Sequence, residues 1–256
     1  MDYQQLNSVP VVVLAGGRAK PDLEAIIGTS IRALAVVNGK TLLQHVTDGL
    51  KAAPAVGEIV VVGDVPPSAE YVQIPDGGAF VTNLFAGIEK YPSASCVLIC
   101  TSDLPYLTGE SVQDFIVQGA ELIAKSGGNL IYPIVQVSRC YQRFPGVKRT
   151  ACKLKEGTFT GGNLVLINPD FMIKQKEQIA AAYAARKSPA RLAAKLGYGT
   201  LVRLLFSQLV SPNLLSVAVL QERVSHLLGG KVCAIESNYP ELATDFDKPS
   251  DFTAKP

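Results

Sequence analysis

The chain has 256 residues, 48% of them hydrophobic and 18% charged, with a net charge of +2. That profile excludes a disordered chain and a general nucleic-acid coat, and the length suits one large domain that buries roughly three quarters of its unfolded surface. No apolar run approaches the ~20 residues of a membrane span, and the five cysteines show neither paired-ligand spacing nor a disulfide framework.

Val11–Leu14 is a β-branched run that reads as a buried strand of a parallel sheet. It stops at Gly16-Gly17 and turns basic at Arg18 and Lys20. After the Asn38-Gly39 turn, Leu42, Leu43, Val46 and Leu50 recur at helical spacing and predict a helix over 42–53. Ile59–Val62 is a second strand, closed by Gly63-Asp64 and Pro66-Pro67, and Tyr71–Ile74 a short third. Leu84, Phe85 and Ile88 share one face of a helix over 81–89. Val97–Ile99 is a central strand with Cys96 and Cys100 as small core residues beside it. Thr108 caps a helix over 109–125. Leu130–Pro133 is a strand whose proline puts its end at a sheet edge or boundary. Ala151–Leu154, the Glu156-Gly157 turn and Asn163–Ile167 read as a hairpin-like excursion. Asn168-Pro169 starts a helix, and Ser188-Pro189 and Ser211-Pro212 repeat that cap-then-proline signal. Residues 170–230 are therefore expected to form a helical subdomain within a single 1–256 domain. Val232–Ile235 is a last strand before an acidic tail. The alternation predicts an α/β fold: a three-layer α/β/α sandwich with a mainly parallel, Rossmann-like sheet and a helical C-terminal insertion. Ligands of such sheets sit beyond the carboxyl ends of the strands.

Several residues on that frame suit chemistry. Gly16 and Gly17 let the backbone approach a phosphate, and Arg18 and Lys20 add charge, with Arg32 and Lys40 extending the positive rim. The glycines match neither a P-loop nor a dinucleotide fingerprint. Asp103, directly after the central strand and next to Pro105, is a hard carboxylate suited to Mg2+. Asp76-Gly77-Gly78 and Asn83 open a helix and offer close backbone approach with donors and acceptors. Gly161-Gly162-Asn163 enters a strand where substrate or chain packs close. Asp245, Asp247 and Asp251 are candidate second metal ligands. The basic run Arg139, Arg143, Lys148, Arg149, Lys153 and Lys155 falls within seventeen positions and suits an anionic partner. Each feature also has a plainer reading, as solvated charge, helix cap or β-bulge. His45 and His226 sit in helical patterns and are not expected to be ligands. The start, Met1-Asp2-Tyr3-Gln4, lacks the basic opening of a secretory signal, so a cytoplasmic chain is expected.

Taken in order, these residues resemble the MobA-like NTP transferases, nucleotidyltransferases of a GT-A-like fold related to molybdenum-cofactor guanylyl- and cytidylyltransferases. The opening pattern is carried by Leu14-Ala15-Gly16-Gly17-Arg18 and Val37-Asn38-Gly39-Lys40-Thr41-Leu42-Leu43. The Asp-x-Pro motif is Asp103-Leu104-Pro105, the base-binding segment runs from Gly77-Gly78 to Asn83, and the closing motif is Asp245-Phe246-Asp247-Lys248-Pro249-Ser250-Asp251. The usual Arg-Met-Gly is missing, Arg32 stands at the signature lysine, and Thr41 stands at a proline. The resemblance implies a Mg2+-dependent transfer of NMP from an NTP, CTP or GTP, to a small anionic acceptor. It implies Gly16, Gly17 and Arg18 on the triphosphate, Arg32 on the α-phosphate or pyrophosphate, and Asp103 with Asp245 or Asp247 on the metal. Leu14, Ala15, Gly77, Gly78 and Asn83 then face base and ribose, and Gly161, Gly162 and Asn163 with Arg143, Lys148 or Arg149 face the acceptor. Nucleic acid and membrane are not implied partners, and the assembly is expected to be a monomer or homodimer. Two other classes stay open. Arg32 in place of lysine suits a nucleotide-binding sensor without turnover. A glycosyltransferase using a nucleotide sugar ranks below the nucleotidyltransferase, because Thr101-Ser102-Asp103 stands where that class carries Asp-x-Asp.

Overall fold

The computed structural model describes residues 8–147, 149–185, 213 and 215–253. The chain opens with β1 (Val9–Leu14) and α1 (Pro21–Ile27). A 3-10 turn at Arg32–Leu34 then leads into a small hairpin of β2 (Val36–Val37) and β3 (Lys40–Thr41). Next come α2 (Leu42–Lys51), β4 (Val56–Val62), β5 (Val72–Ile74), α3 (Phe80–Ile88), β6 (Val97–Thr101) and α4 (Gly109–Ser126). The second half holds β7 (Leu130–Gln136), α5 (Val137–Arg143), β8 (Cys152–Leu154), β9 (Gly157–Gly161) and β10 (Leu164–Ile167). It continues with α6 (Pro169–Lys174), α7 (Lys176–Ala185), α8 (Val217–Leu228), β11 (Val232–Ser237) and α9 (Pro249–Thr253).

Among the described residues the main sheet has nine strands in the order β5-β4-β1-β6-β10-β7-β9-β8, with β11 also paired to β7. β5, β4, β1 and β6 are mutually parallel, and β11 is parallel to β7. Alternate side chains of each strand enter opposite faces. Val11, Val13, Ile59, Val61, Leu98 and Cys100 pack with Leu43, Val46 and Leu50 of α2 and Val112, Phe115 and Ile116 of α4. Val12, Val60, Val62, Val97 and Ile99 pack instead with Leu84, Phe85 and Ile88 of α3, Met172 of α6 and Ile179 of α7. This double burial explains why the strands read as continuous apolar runs, and it gives the expected three-layer α/β/α sandwich. Cys96 and Cys100 are buried in it.

Thr41, at the position of the family's proline, has a local job. Its hydroxyl accepts from the Gln44 amide at 3.1 Å and its own amide donates to the Gln44 side chain at 2.8 Å, a capping box that opens α2. A proline there would lack that donor.

Two local expectations are corrected. Pro133 lies inside β7 rather than at its end, and β7 continues to Gln136. It falls where the ladder on one side of β7 passes from β10 to β9, at the Gly162–Asn163 break, so its missing N–H removes no rung there. Asn163–Ile167 is not the second arm of a hairpin. β8 pairs with β9, while β10 enters the sheet antiparallel between β6 and β7. Two helices, α1 and α5, are additional to the expected elements; neither has a side-chain cap at its start, and the boundary signals of α1 are Pro21 in its first turn and Gly28 at its end. The expected helical subdomain over 170–230 includes 186–212, outside the described residues. So do both Ser-Pro signals. On either side of that segment, α6 begins at Asn168, whose side chain accepts from the Phe171 amide at 2.9 Å, and α8 begins at Ser216.

Candidate functional site

β1 and β6 are adjacent parallel strands, with Leu14 opposite Thr101. The loops that leave them therefore emerge side by side at the carboxyl end of the sheet, one carrying Gly16-Gly17 and the other Asp103. A cavity of about 240 Å3 lies there, lined by Leu14, Gly16, Gly17, Arg32, Gly78 and Asn83 together with Thr101, Asp103 and three residues of the far wall. The glycine loop is pinned by the segment that follows it. Ala19 donates to the Ser30 carbonyl at 2.8 Å, and the Arg32 amide donates to the Gly17 carbonyl at 3.0 Å. That pairing lays the Arg32 guanidinium over Gly17, where a Cβ would stand 2.9 Å from Nη2. A Cβ on Gly16 would stand 2.4 Å from Asn83 Nδ2 and 2.7 Å from Asp76 Oδ1. Within the described residues the Gly16 and Gly17 amides have no protein acceptor.

Asp103 is 7% exposed. Its Oδ2 lies 3.4 Å from Arg32 Nη2, and Arg32 Nη1 reaches Asp247 on the C-terminal tail. The guanidinium fork thus bridges two carboxylates. Burial pushes the Asp103 carboxyl above its ordinary range, opposed by Arg32 and reinforced by the Asp245 charge. Among the described residues, Asp103 Oδ1, Arg32 Nε and Thr101 Oγ1 are buried with no hydrogen-bond partner. Such orphans in a native cleft point to a group that binds there.

The tail is brought to this place by backbone bonds. Asn163 donates to the Leu242 carbonyl at 2.8 Å, and Phe246 donates to the Asp103 carbonyl at 2.9 Å. Arg149, its side chain only 5% exposed, donates to the Ala243 carbonyl at 2.8 Å and pairs with Asp245 Oδ1 at 2.6 Å. Asp251 Oδ2 accepts from the amides of Asp247 and Lys248 at 3.0 and 2.8 Å. A second cavity of about 470 Å3 lies against the tail. Its polar lining includes Tyr132, Arg149, Asn163, Asp245, Asp247 and Lys248, and Gly161 forms part of its wall. The contact between Arg32 and Asp247 joins the two cavities.

The structure therefore brings together Leu14, Gly16, Gly17, Gly78, Asn83, Arg32 and Asp103 in one cleft, with Asp247 at its edge. It does not bring every expected residue there. Arg18 turns to Asp64 at 2.5 Å and Asp76 at 3.6 Å, because the loops after β4 and β5 end beside it. Ala15 is fully buried and donates to the Val62 carbonyl. Gly77 donates to Asn83 Oδ1 at 2.7 Å, and Asn83 Nδ2 donates to Asp76 Oδ1 at 2.7 Å. Each end of the Asn83 amide thereby makes one bond to the loop, and the bond to Asp76 is the largest of the causes that hold the Asp76 carboxyl low. Asp245 is engaged by Arg149 rather than facing the smaller cleft. Gly161 and Asn163 line the larger cavity, whereas Gly162 packs against the chain: a Cβ there would meet Pro133 Cγ at 2.7 Å and the Leu242 carbonyl at 3.0 Å. Arg143 lies over the Phe144 ring at 5.5 Å and lines neither cavity. Lys148 is outside the described residues. Of the basic run, Arg149 alone lines the larger cavity among the described residues.

Sequence reasoning missed Thr101, Ala79, Phe80 and Tyr183 in the smaller cleft, and Tyr132 and Lys248 in the larger. Thr101 stands two residues before Asp103 and was within reach of the strand argument. Tyr183 carried no signal, because it arrives from a helix a hundred positions away.

The profile of the MobA-like NTP transferase domain matches residues 11–156. A solved structure described as a hypothetical transferase from Thermus thermophilus is 33% identical, with a TM-score of 0.82, over 96% of this chain and 99% of that one. A CMP:2-keto-3-deoxy-manno-octonic acid synthetase complexed with CTP is 14% identical, covering 95% of this chain and 94% of that one at a TM-score of 0.55. The 2-C-methyl-D-erythritol 4-phosphate cytidylyltransferase from Thermus thermophilus is 16% identical, covering 96% of both chains at 0.51. These last two share the fold. No curated protein matches the chain. With its glycine loop and buried aspartate at the ends of neighbouring strands, and a profile match over more than half its length, the chain belongs to the MobA-like NTP transferase domain family.

Proposed function

We propose that the protein is a Mg2+-dependent nucleotidyltransferase, and that it moves an NMP from an NTP to a small acceptor. The observation that carries this is the shared cleft of the Gly16-Gly17 loop, Arg32 and the orphaned Asp103 Oδ1. Acceptor oxygen attacks the α-phosphorus, the bond to the bridging oxygen breaks, and pyrophosphate leaves. The catalytic effect is positioning and charge neutralisation. The free amides of Gly16 and Gly17 hold the triphosphate from one side. Arg32, released from one carboxylate, offers its fork to the α-phosphate or to the departing pyrophosphate. Arg18 at the loop's edge contributes charge at the rim while holding the Asp64 and Asp76 loops in place.

The cleft fits a hard divalent cation. Asp103 Oδ1 is a buried, unpaired carboxylate oxygen, and Asp247 stands across Arg32 from it. Among the described residues no cluster of three or more ligating side chains forms a cage. Mg2+ bound through one or two carboxylates and phosphate oxygens needs none. When bound, it supplies positive charge to the phosphate oxygens. Asp103 is the proposed ligand, with Asp247 as second ligand; Asp245, tied to Arg149, positions the tail. CTP is the first nucleotide to try, since one structural neighbour was solved with CTP, and GTP is the second. The acceptor, a small anion, would occupy the larger cavity beside Gly161, Asn163 and Lys248.

Pyrophosphate release from each NTP, over a panel of small phosphorylated acceptors, tests the reading. It is expected with one nucleotide favoured, to need Mg2+, and to stop with EDTA. The bridge from Arg32 to both carboxylates favours one alternative, a nucleotide-binding protein without turnover, because it neutralises the site from within. Saturable NTP binding with no product on any acceptor would favour that alternative.

A further inference from the structure

Two aromatic rings close one end of the smaller cleft, and neither the phosphate nor the metal chemistry uses them. Phe80 opens α3 directly after Gly78-Ala79, and Tyr183 lies on the last described turn of α7. Their rings are stacked, with centroids 4.4 Å apart and planes 6° from parallel. The pairing follows from how α7 lies on α3. Lys176, at the start of α7, sits over the Phe85 ring at 4.9 Å and pairs with Glu89 at 2.7 Å, at the far end of α3. Ile179 is buried with Leu84, Phe85 and Ile88. One more turn brings Tyr183 alongside Phe80. Phe80 nevertheless keeps 40% of its surface exposed.

The cleft is thus polarised along its length. Gly16, Gly17, Arg32 and Asp103 form a polar, charged end, while Ala79, Phe80 and Tyr183 form an aromatic end. A nucleoside triphosphate has the same polarity, an anionic chain at one end and a planar heterocycle at the other. Asn83 lies against Gly16, toward the polar end, and gives one N–H and one lone pair of its amide to the Asp76 loop, so at the aromatic end the faces of Phe80 and Tyr183 make stacking the main contact offered to a base.

We infer that Phe80 and Tyr183 are an aromatic clamp for the nucleobase, so that α7 supplies one jaw of the nucleotide site. The inference rests on the nucleotidyl-transfer reading. Rings in contact leave no gap for a third, so Tyr183 moves off Phe80 by about one ring thickness, roughly 3.5 Å, and closes again over the base. The free protein stacks the two jaws on each other in place of the ligand.

The test is calorimetric titration of CTP, GTP, ATP, UTP and inorganic tripolyphosphate, each with Mg2+, into the wild type and into Tyr183→Ala, Phe80→Ala and Tyr183→Phe. Both alanine variants are expected to weaken the best nucleotide roughly 5- to 150-fold, the range of base–aromatic stacking, and to leave tripolyphosphate unchanged. Tyr183→Phe keeps the ring and is expected to bind like the wild type. Unchanged nucleotide affinity in the alanine variants would overturn the clamp and leave nucleotidyl transfer standing. Equal losses for nucleotide and tripolyphosphate would also overturn it, because the pair would then be supporting the cleft as a whole. A wild type that binds no nucleotide would overturn both.

Discussion

Asp103→Asn is expected to lower turnover by at least about a hundredfold, the scale of losing one charge-stabilising group from a reacting centre, without lowering the melting temperature. The two halves have one cause. Asp103 is buried beyond the end of β6, and desolvation raises its carboxyl pKa in the folded chain. A carboxyl whose folded pKa lies above its unfolded value binds more protons when folded. Stability therefore falls as pH rises from the unfolded value through the folded one, and the cost is fully present above it. Asparagine carries no charge, keeps the shape, and removes that cost. Arg32 retains Asp247 as a partner. Melting curves across a pH series, run beside pyrophosphate assays, check both halves. The wild type is expected to lose stability relative to the variant as pH rises, and an inactive variant that also melts early would mean that Asp103 supports the fold rather than the chemistry.

Arg149→Ala is expected to lower stability by about 2–3 kcal/mol, at or below the bottom of the range of about 3–5 kcal/mol for breaking a fully buried ion pair, since Asp245 is 32% exposed. For a domain of this size that lowers the melting temperature by roughly 4–12 °C. Arg149 is nearly buried and holds the tail at three points: Nη1 donates to the Ala243 carbonyl and the Asp245 carboxylate, and Nη2 to the Asp245 carbonyl. Its loss loosens residues 243–247, which deliver Asp247 to Arg32 and are then held by Phe246 on the Asp103 carbonyl and by Asp251. Turnover should fall with stability, and Arg149→Lys should recover only part of either, because one ammonium nitrogen replaces the two guanidinium nitrogens that reach the Ala243 and Asp245 acceptors. Scanning calorimetry with steady-state kinetics distinguishes this from direct acceptor binding. A variant with wild-type stability and a raised KM for the acceptor alone would assign Arg149 to the acceptor instead.

The sandwich and the heart of the cleft were legible because their information is local. Apolar strands that end in glycine or aspartate announce both a buried parallel sheet and the loops at its carboxyl end, and adjacency of β1 and β6 then places Gly16 beside Asp103. What was not legible depends on residues far apart in sequence. Arg32 and Asp247 are 215 positions apart, and Arg149 and Asp245 are 96. No periodicity says that Arg149 is consumed by the tail while Asp247 is not, or that Arg18 spends its charge on Asp64. Asn83 lines the cleft, but the sequence shows its amide and not the Asp76 loop that takes one N–H and one lone pair of it. β10 misled for a related reason. A short apolar run after a glycine turn suits a hairpin arm, and only the ladder of Leu164–Ile167 against Val97–Cys100 makes it a central antiparallel strand.

The central claim is that one cleft grips a magnesium triphosphate between the glycine loop and Asp103. The most direct measurement is a crystal structure with a non-hydrolysable NTP analogue and Mn2+ in place of Mg2+, the metal located by its anomalous signal. The account predicts phosphate oxygens on the Gly16 and Gly17 amides, the Arg32 fork turned onto the phosphates, and the metal peak on Asp103 Oδ1. A well-ordered analogue bound elsewhere, or a metal peak whose ligands exclude Asp103, would contradict it.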